Sequence, residues 1–342
     1  MRAVVLVGGL GTRLRPLTLR TPKQMLPVAG QPMIERVVAH LGAHGVEEVV
    51  LSLGYRPDAF TNAYPDGTCA GVRLVYAVEP DPLDTAGAVA FAAREAGIDE
   101  RFIVVNGDVL TDLDVTALVT AHQRAHDDAG AEATIALVSV DDPSSFGVVT
   151  TDAEGRVLAF VEKPPKGEAA SAEINAGFYV FEPEVLARIP EGGRVNMERE
   201  TFPAMVGDGV LWSRTEPAWW VDVGTCERYL QVSLELLDRL PGEPVSISDD
   251  AVVASTAAVT RSAIGRGARV GRNARVENSV VLARAVIGNG AVVRDSVVGA
   301  SVVVGDAAVV RDLSVLGNET EVEPGTELVG ELRPGPEAWP DA

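Results

Sequence analysis

Residues 4–28 read VVLVGGLGTRLRPLTLRTPKQMLPV: an apolar run enters Gly8, Gly9 and Gly11, and Arg13, Arg15, Arg20 and Lys23 follow closely. A glycine turn lets backbone N–H groups approach a ligand, and guanidinium groups match phosphate oxygens two at a time, so the stretch has the chemistry of a polyphosphate cradle. It is not a dinucleotide fingerprint, because Leu14 stands where the third glycine counted from Gly9 would be. Nor is it a Walker loop, since no Gly-Lys-Ser/Thr follows. Of 29 basic residues only Lys23, Lys163 and Lys166 are lysine. In a chain that prefers arginine, a retained lysine asks for a chemical reason, because lysine is a compact point charge and arginine a planar fork.

Those residues need elements to hold them. Up to about residue 240, short apolar runs at Val4–Val7, Val49–Leu53, Val72–Val78, Phe102–Val105 and Ile135–Val140 alternate with helical periodicity, as in Met33, Ile34, Val37, Val38 and Leu41 before Gly45. The alternation predicts an α/β fold, a Rossmann-like, mostly parallel sheet, whose ligands gather beyond the carboxyl ends of the strands. Gly8–Gly11 and Asn106-Gly107-Asp108 fall at such ends.

After Pro241-Gly242-Glu243-Pro244 the rhythm changes. Val252, Ala258, Ile264, Val270, Val276 and Leu282 are six apart, and a second ladder runs from Val280 through Val286, Val292, Val298, Val304, Val310, Leu316, Val322 and Leu328. This period predicts a left-handed parallel β-helix of hexapeptide repeats, with a distorted coil at the 276–280 offset and a loosely filled first coil at Ala258. The expected division is a catalytic domain over 1–240, a linker over 241–247, the β-helix over 248–330 and a tail over 331–342.

The net charge of −20 argues against a nucleic-acid or anionic-membrane partner. Cys69 and Cys226 lack metal-ligand spacing and suit a reducing cytoplasm. No targeting segment or 18-residue apolar run is visible.

The string GGLGTRLRPLT followed by TPKQMLPVAGQPMI resembles the signature of the sugar-1-phosphate nucleotidylyltransferases. LDTAGAV at 83–89, FIVVNGDVL at 102–110, SSFGVV at 144–149, FVEKP at 160–164, INAGFYVFEPEVL at 174–186 and WWVDVGTCERYL at 219–230 are similar to that family's later motifs, in its order. The β-helix and NMERETFP at 196–203 look like the mannose-1-phosphate guanylyltransferase branch.

The resemblance implies in-line attack of a sugar-1-phosphate on the α-phosphorus of a nucleoside triphosphate, giving an NDP-sugar and pyrophosphate by positioning and charge neutralisation. GTP and mannose-1-phosphate are the expected pair. Glucose-1-phosphate thymidylyl- or uridylyltransfer, and guanylyltransfer to an unusual sugar or a cyclitol phosphate such as valienol-1-phosphate, are alternatives. A non-catalytic regulatory subunit is a rival of another class, disfavoured by retention of both metal carboxylates.

On the matched motifs, Asp108 and Asp222 would bind Mg²⁺, which takes one or two carboxylates plus phosphate oxygens and water. Arg13 would neutralise the leaving pyrophosphate, Lys23 the phosphates at the reaction centre and Lys163 the sugar phosphate. Leu6, Gly8, Gly9, Gly11, Thr12, Asp84, Thr85 and Gly87 would contact the nucleotide, and Gly147, Glu162 and Asn175 the sugar. A homo-oligomer is expected.

Two residues depart from the branch. Asp84 stands where L-G-T-A-G has its first glycine, either accepting from guanine or capping the next helix, and the Lys23-Gln24 pair is more like the glucose-1-phosphate thymidylyltransferases. Asp112-Leu113-Asp114 is expected to cap a helix rather than bind metal. The pairs His40/His44 and His122/His126 are expected on solvated helix faces. No histidine follows His126, so the β-helix lacks the base that hexapeptide acyltransferases use.

Overall fold

The computed structural model describes residues 1–340, so the last two residues of the expected tail lie outside the described ones. The chain forms two compact units. One comprises Met1–Gly9 and Ile34–Val221, the other Leu10–Met33 and Asp222–Ala342.

The first unit is built on a ten-stranded mixed sheet. Strand Arg2–Leu6 lies at its centre, parallel to Glu48–Leu53 on one side and Phe102–Asn106 on the other, and Glu48–Leu53 is parallel to Val72–Val78. These strands are continuous apolar runs because helices cover both faces of a parallel sheet. The half beyond Phe102–Asn106 is mostly antiparallel: Glu173–Phe181 pairs with it, with Ala133–Ser139 and with Gly147–Thr151, which in turn pairs with Val157–Glu162, while Leu211–Thr215 runs parallel to Ala133–Ser139. Helix Met33–Ala43 ends just before Gly45, whose φ of 83° turns the chain.

Asp114 does cap a helix: its carboxylate accepts from Ala117 N–H at 2.9 Å at the start of Val115–Ala129. The histidine expectation is corrected. His122 on that helix is 0% exposed, bonded to Thr134 Oγ1 at 2.8 Å and Glu182 Oε1 at 3.0 Å, and His40, His44 and His126 are half-buried. Among the described residues, no group of three or more His, Cys, Asp or Glu side chains could hold a metal ion.

Burial pulls the His122 pKa down from its ordinary 6.5 to about 4, against the opposing pull of the Glu182 hydrogen bond. Between those two values the unfolded chain binds a proton that the folded chain does not, so stability falls as pH drops through this window. The loss is about 2 kcal/mol by pH 5. Urea midpoints at pH 7 and 5 are expected to differ accordingly, and the difference to shrink in His122→Gln; an equal drop in the variant would assign it to other groups.

In the second unit, residues 246–333 form a parallel β-helix of three sheets with six, five and five strands. The inward residues are Ile264, Val270, Val276, Val281, Ile287, Val293, Val298, Val304, Val310, Leu316, Val322 and Leu328. The expected second ladder is therefore one residue out at Val280, Val286 and Val292, and the distorted coil is a regular shortened corner. Ala263 pairs with Val280 and Val280 with Val297, a 17-residue coil whose third side is one residue short.

A serine occupies each such corner. Ser262, Ser279, Ser296 and Ser314 are fully buried; Ser262 Oγ accepts from Ser279 N–H at 3.0 Å and Ser279 Oγ from Ser296 N–H at 3.2 Å, while each hydroxyl donates to a carbonyl of its own corner. The ladder satisfies backbone groups that the turn withdraws from the sheets. The first coil is indeed less tightly filled, but through partly buried Val253 and Val259; Ala258 is exposed.

Candidate active site

In the first unit the glycine turn begins where Arg2–Leu6 ends. A Cβ on Gly8 would lie 3.2 Å from Gly54 N and 3.3 Å from Glu79 Oε1, whereas one on Gly9 would meet nothing. Glu79 joins this turn to the 83–87 segment, accepting from Ser52 Oγ at 3.0 Å and from Leu83 N–H at 3.1 Å. Gly107 N–H donates to Leu6 O at 3.0 Å, and a Cβ there would come within 2.7 Å of that oxygen. This close approach sets the segment leading into Asp108 against the carboxyl end of the central strand.

Asp84 opens helix Asp84–Glu95 with φ 61°, the conformation that favours glycine. Its Oδ1 accepts from Thr85 N–H at 2.8 Å and from Asn196 Nδ2 at 2.9 Å. Thr85 Oγ1 donates to Glu198 Oε2 at 2.9 Å and accepts from Met197 N–H at 2.8 Å. Gly87 allows close packing, since a Cβ would meet Gly193 O at 2.5 Å. Burial raises the Glu198 carboxyl above its usual range, and the charges of Glu162 and Asp84 push the same way. Glu79, Asn196 and Glu198 were not singled out from the sequence; only the NMERETFP block pointed near two of them.

Gly147 and Glu162 are register partners on adjacent antiparallel strands. A Cβ on Gly147 would lie 2.5 Å from the Phe160 ring and 3.1 Å from Glu162 Oε2. Lys163 follows with φ 50°, its Nζ 2.9 Å from Glu162 Oε1 and its side chain 61% exposed. Asn175 sits at the irregularity of strand Glu173–Phe181, donating to Tyr179 OH and accepting from Gly177 N–H, both at 2.9 Å. A Cβ on Gly177 would meet Asn106 Nδ2 at 2.9 Å, so the Asn175 turn packs onto the Asn106-Gly107-Asp108 segment. Trp220 closes this region, its Nε1 donating to Ala176 O at 2.8 Å and its ring 5.4 Å edge-on from Phe146.

The second unit carries the rest of the glycine loop, folded as three short helical turns: Thr12–Leu14, Leu17–Leu19 and Lys23–Met25. Gly11 has φ 61°, and a Cβ there would lie 3.1 Å from Thr18 Cγ2 and 3.2 Å from Lys23 Cβ. Lys23 is only 7% exposed and Gln24 4%, with Gln24 Oε1 lacking a hydrogen-bond partner among the described residues. Arg13 and Asp222 both approach Gly224: a Cβ there would lie 3.1 Å from Arg13 Nη2 and 3.2 Å from Asp222 Oδ2. The loop thus presents a guanidinium and a carboxylate around one glycine, with a largely buried lysine, a set suited to phosphate oxygens and a hard cation.

The nucleotidyl transferase family profile matches residues 2–239. The chain belongs to the nucleotidyl transferase family. The profile of the GMPPB C-terminal domain matches residues 242–332 of this nucleotidyl transferase. It is 39% identical over 290 residues to the mannose-1-phosphate guanylyltransferase of Mycobacterium tuberculosis, covering 82% of this chain and 79% of that protein. It is 40% identical over 246 residues to the mannose-1-phosphate guanyltransferase of Hypocrea jecorina, covering 70% and 65%.

Among solved structures, a putative glucose-1-phosphate thymidylyltransferase from Bacillus anthracis superposes with a TM-score of 0.62 at 26% identity, covering 71% of this chain and 98% of that one. HddC from Yersinia pseudotuberculosis gives 0.59 at 27%, covering 69% and 99%. The nucleotidyl transferase is an enzyme, and its family generally uses a divalent metal ion. No helix is long and apolar enough to cross a membrane among the described residues.

Proposed function

We propose that this nucleotidyl transferase moves GMP from GTP to mannose-1-phosphate, giving GDP-mannose and pyrophosphate, with Mg²⁺ as the ion. The observation that carries the chemistry is the loop in which Arg13 and Asp222 both approach Gly224 and Lys23 is packed against Gly11. The names of the 39–40% identical relatives support the choice of base and sugar.

In this reading the sugar phosphate oxygen attacks the α-phosphorus in line and pyrophosphate leaves opposite. Gly8, Gly9, Gly11 and Thr12 bring backbone to the triphosphate, with Leu6 beneath it. Thr85 and Gly87 shape the nucleotide side through their contacts with residues 193–198. Arg13 neutralises the leaving pyrophosphate, Lys23 the phosphates at the reaction centre and Lys163 the sugar phosphate, while Glu162, Asn175 and Gly147 meet the sugar. Asp108 and Asp222 would hold the ion, which when bound neutralises phosphate charge; two carboxylates leave its other positions to phosphate and water, as Mg²⁺ prefers. The same reading takes 1–240 as catalytic domain, 241–247 as linker, 248–330 as β-helix and 331–342 as tail, in a cytoplasmic homo-oligomer; the profile matches at 2–239 and 242–332 support the division.

The test is pyrophosphate release across four nucleoside triphosphates and several sugar-1-phosphates with Mg²⁺. GTP with mannose-1-phosphate is expected to be the best pair. The Lys23-Gln24 pair, more like that of the glucose-1-phosphate thymidylyltransferases, is what a second reading rests on, in which a pyrimidine triphosphate and glucose-1-phosphate win. No turnover with any pair would favour a regulatory subunit.

Asp84→Gly refines the base assignment. Asp84 Oδ1 already serves Thr85 and Asn196, so the ratio of GTP to UTP turnover is expected to change less than about threefold. A change above tenfold would put the carboxylate on the base.

A further inference from the structure

We infer that the coil corner Gly317-Asn318 of the β-helix is a positioning element for the loop that carries Arg13 and Lys23. The inference rests on the loop's proposed role at the triphosphate. Loop and corner belong to one compact unit. Pro16, three residues after Arg13, lies directly on Gly317: a Cβ there would stand 2.9 Å from Pro16 Cβ and 3.2 Å from Pro16 O. Thr21, two residues before Lys23, accepts from Asn318 Nδ2 at 3.0 Å. Asn318 is itself anchored, since its Oδ1 accepts from Ala300 N–H at 2.9 Å on the preceding coil.

These contacts brace the loop at two points within the stretch between its two candidate phosphate-binding side chains, one near each. Arg20–Glu319 adds an ion pair that is exposed on both sides and so contributes little energy. Arg15 Nη1 donates to Pro340 O at 2.6 Å, and on the other side Tyr229 OH donates to Pro27 O. The loop needs such bracing because its three short turns, Thr12–Leu14, Leu17–Leu19 and Lys23–Met25, contain little regular hydrogen bonding of their own. A displacement of about 1 Å in a phosphate-positioning group can cost as much as a hundredfold in rate. Gly317 and Asn318 touch no reacting atom in this account; they act through Pro16 and Thr21.

The test compares Gly317→Ala, Asn318→Ala and Asn318→Asp with the wild-type full chain, measuring thermal unfolding, GTP affinity by calorimetry and steady-state constants for both substrates. The two alanine variants are expected to raise KM and Kd for GTP about tenfold and to lower kcat, with KM for the sugar phosphate within twofold of wild type. Asn318→Asp keeps an acceptor for Ala300 N–H and can accept a hydrogen bond from the Thr21 hydroxyl, so it should recover most of the loss.

A purely structural corner predicts a lower unfolding temperature with GTP constants within twofold of wild type, and that result overturns the inference. If Gly317→Ala does not fold, the Asn318 pair decides alone. A wild type that binds GTP but turns over no pair defeats the transferase reading, while the GTP affinities of the variants still decide this one. A wild type that binds no nucleoside triphosphate overturns both.

Discussion

Asp108→Ala and Asp222→Ala are each expected to lower kcat/KM by about a thousandfold or more while the protein still unfolds cooperatively. Losing a carboxylate from a hard-cation site removes several kcal/mol of charge stabilisation where two polyanions must meet, and each 1.4 kcal/mol is about tenfold in rate. The two positions differ in what else they support. Asp108 follows Gly107, whose close approach to Leu6 O fixes the segment through backbone, so shortening the side chain should leave that turn intact. Asp222 and the Arg13 guanidinium both approach Gly224, so removing the carboxylate also changes the surroundings of Arg13 and should raise KM for the nucleotide as well. Turnover measured with rising Mg²⁺ checks both, and a variant retaining near-normal rate at ordinary Mg²⁺ would remove that residue from the ion.

Lys23→Ala is expected to reduce kcat by about a hundred- to a thousandfold, the cost of one preorganised charged group at a developing phosphate charge. Lys23→Arg is expected to fail too, by at least about tenfold. Lys23 is only 7% exposed and its Cβ sits against Gly11, and a planar fork cannot place its charge where the compact ammonium does. KM for the sugar phosphate should hardly move in either variant. Near-normal turnover by the arginine variant would mean that only a positive charge matters there, and near-normal turnover by the alanine variant would take Lys23 out of the chemistry.

The features legible in the sequence were those whose cause is local. The glycine loop, the Asp114 cap and the parallel strands each depend on residues a few positions apart. The β-helix period was legible for the same reason, but its facing was not. Val280-Val281, Val286-Ile287 and Val292-Val293 are aliphatic pairs, and periodicity alone does not say which member points inward; the buried corner serines do.

What escaped depended on distant partners. His122 is buried because Glu182 reaches it from 60 residues away. Thr85 is tied to Glu198 across 113 residues. The antiparallel half of the sheet, which sets Gly147 against Glu162 and folds the Asn175 turn onto Asn106, had no alternation strong enough to announce it.

The shortened corner makes the β-helix a ruler with a fixed graduation. Because every inward side chain and every corner serine must fall above its counterpart, the walls can lengthen or shrink only by whole coils, mostly of 17 residues. A deletion of any other size within a wall would turn its valines outward and leave buried hydroxyls facing aliphatic neighbours. The one longer coil, where Val297 pairs with Val315, accommodates its extra residue within the corner at Asp312 and Leu313, both in the left-handed conformation. Tolerance to changed length in this half of the molecule is therefore confined to its corners, and its walls are intolerant.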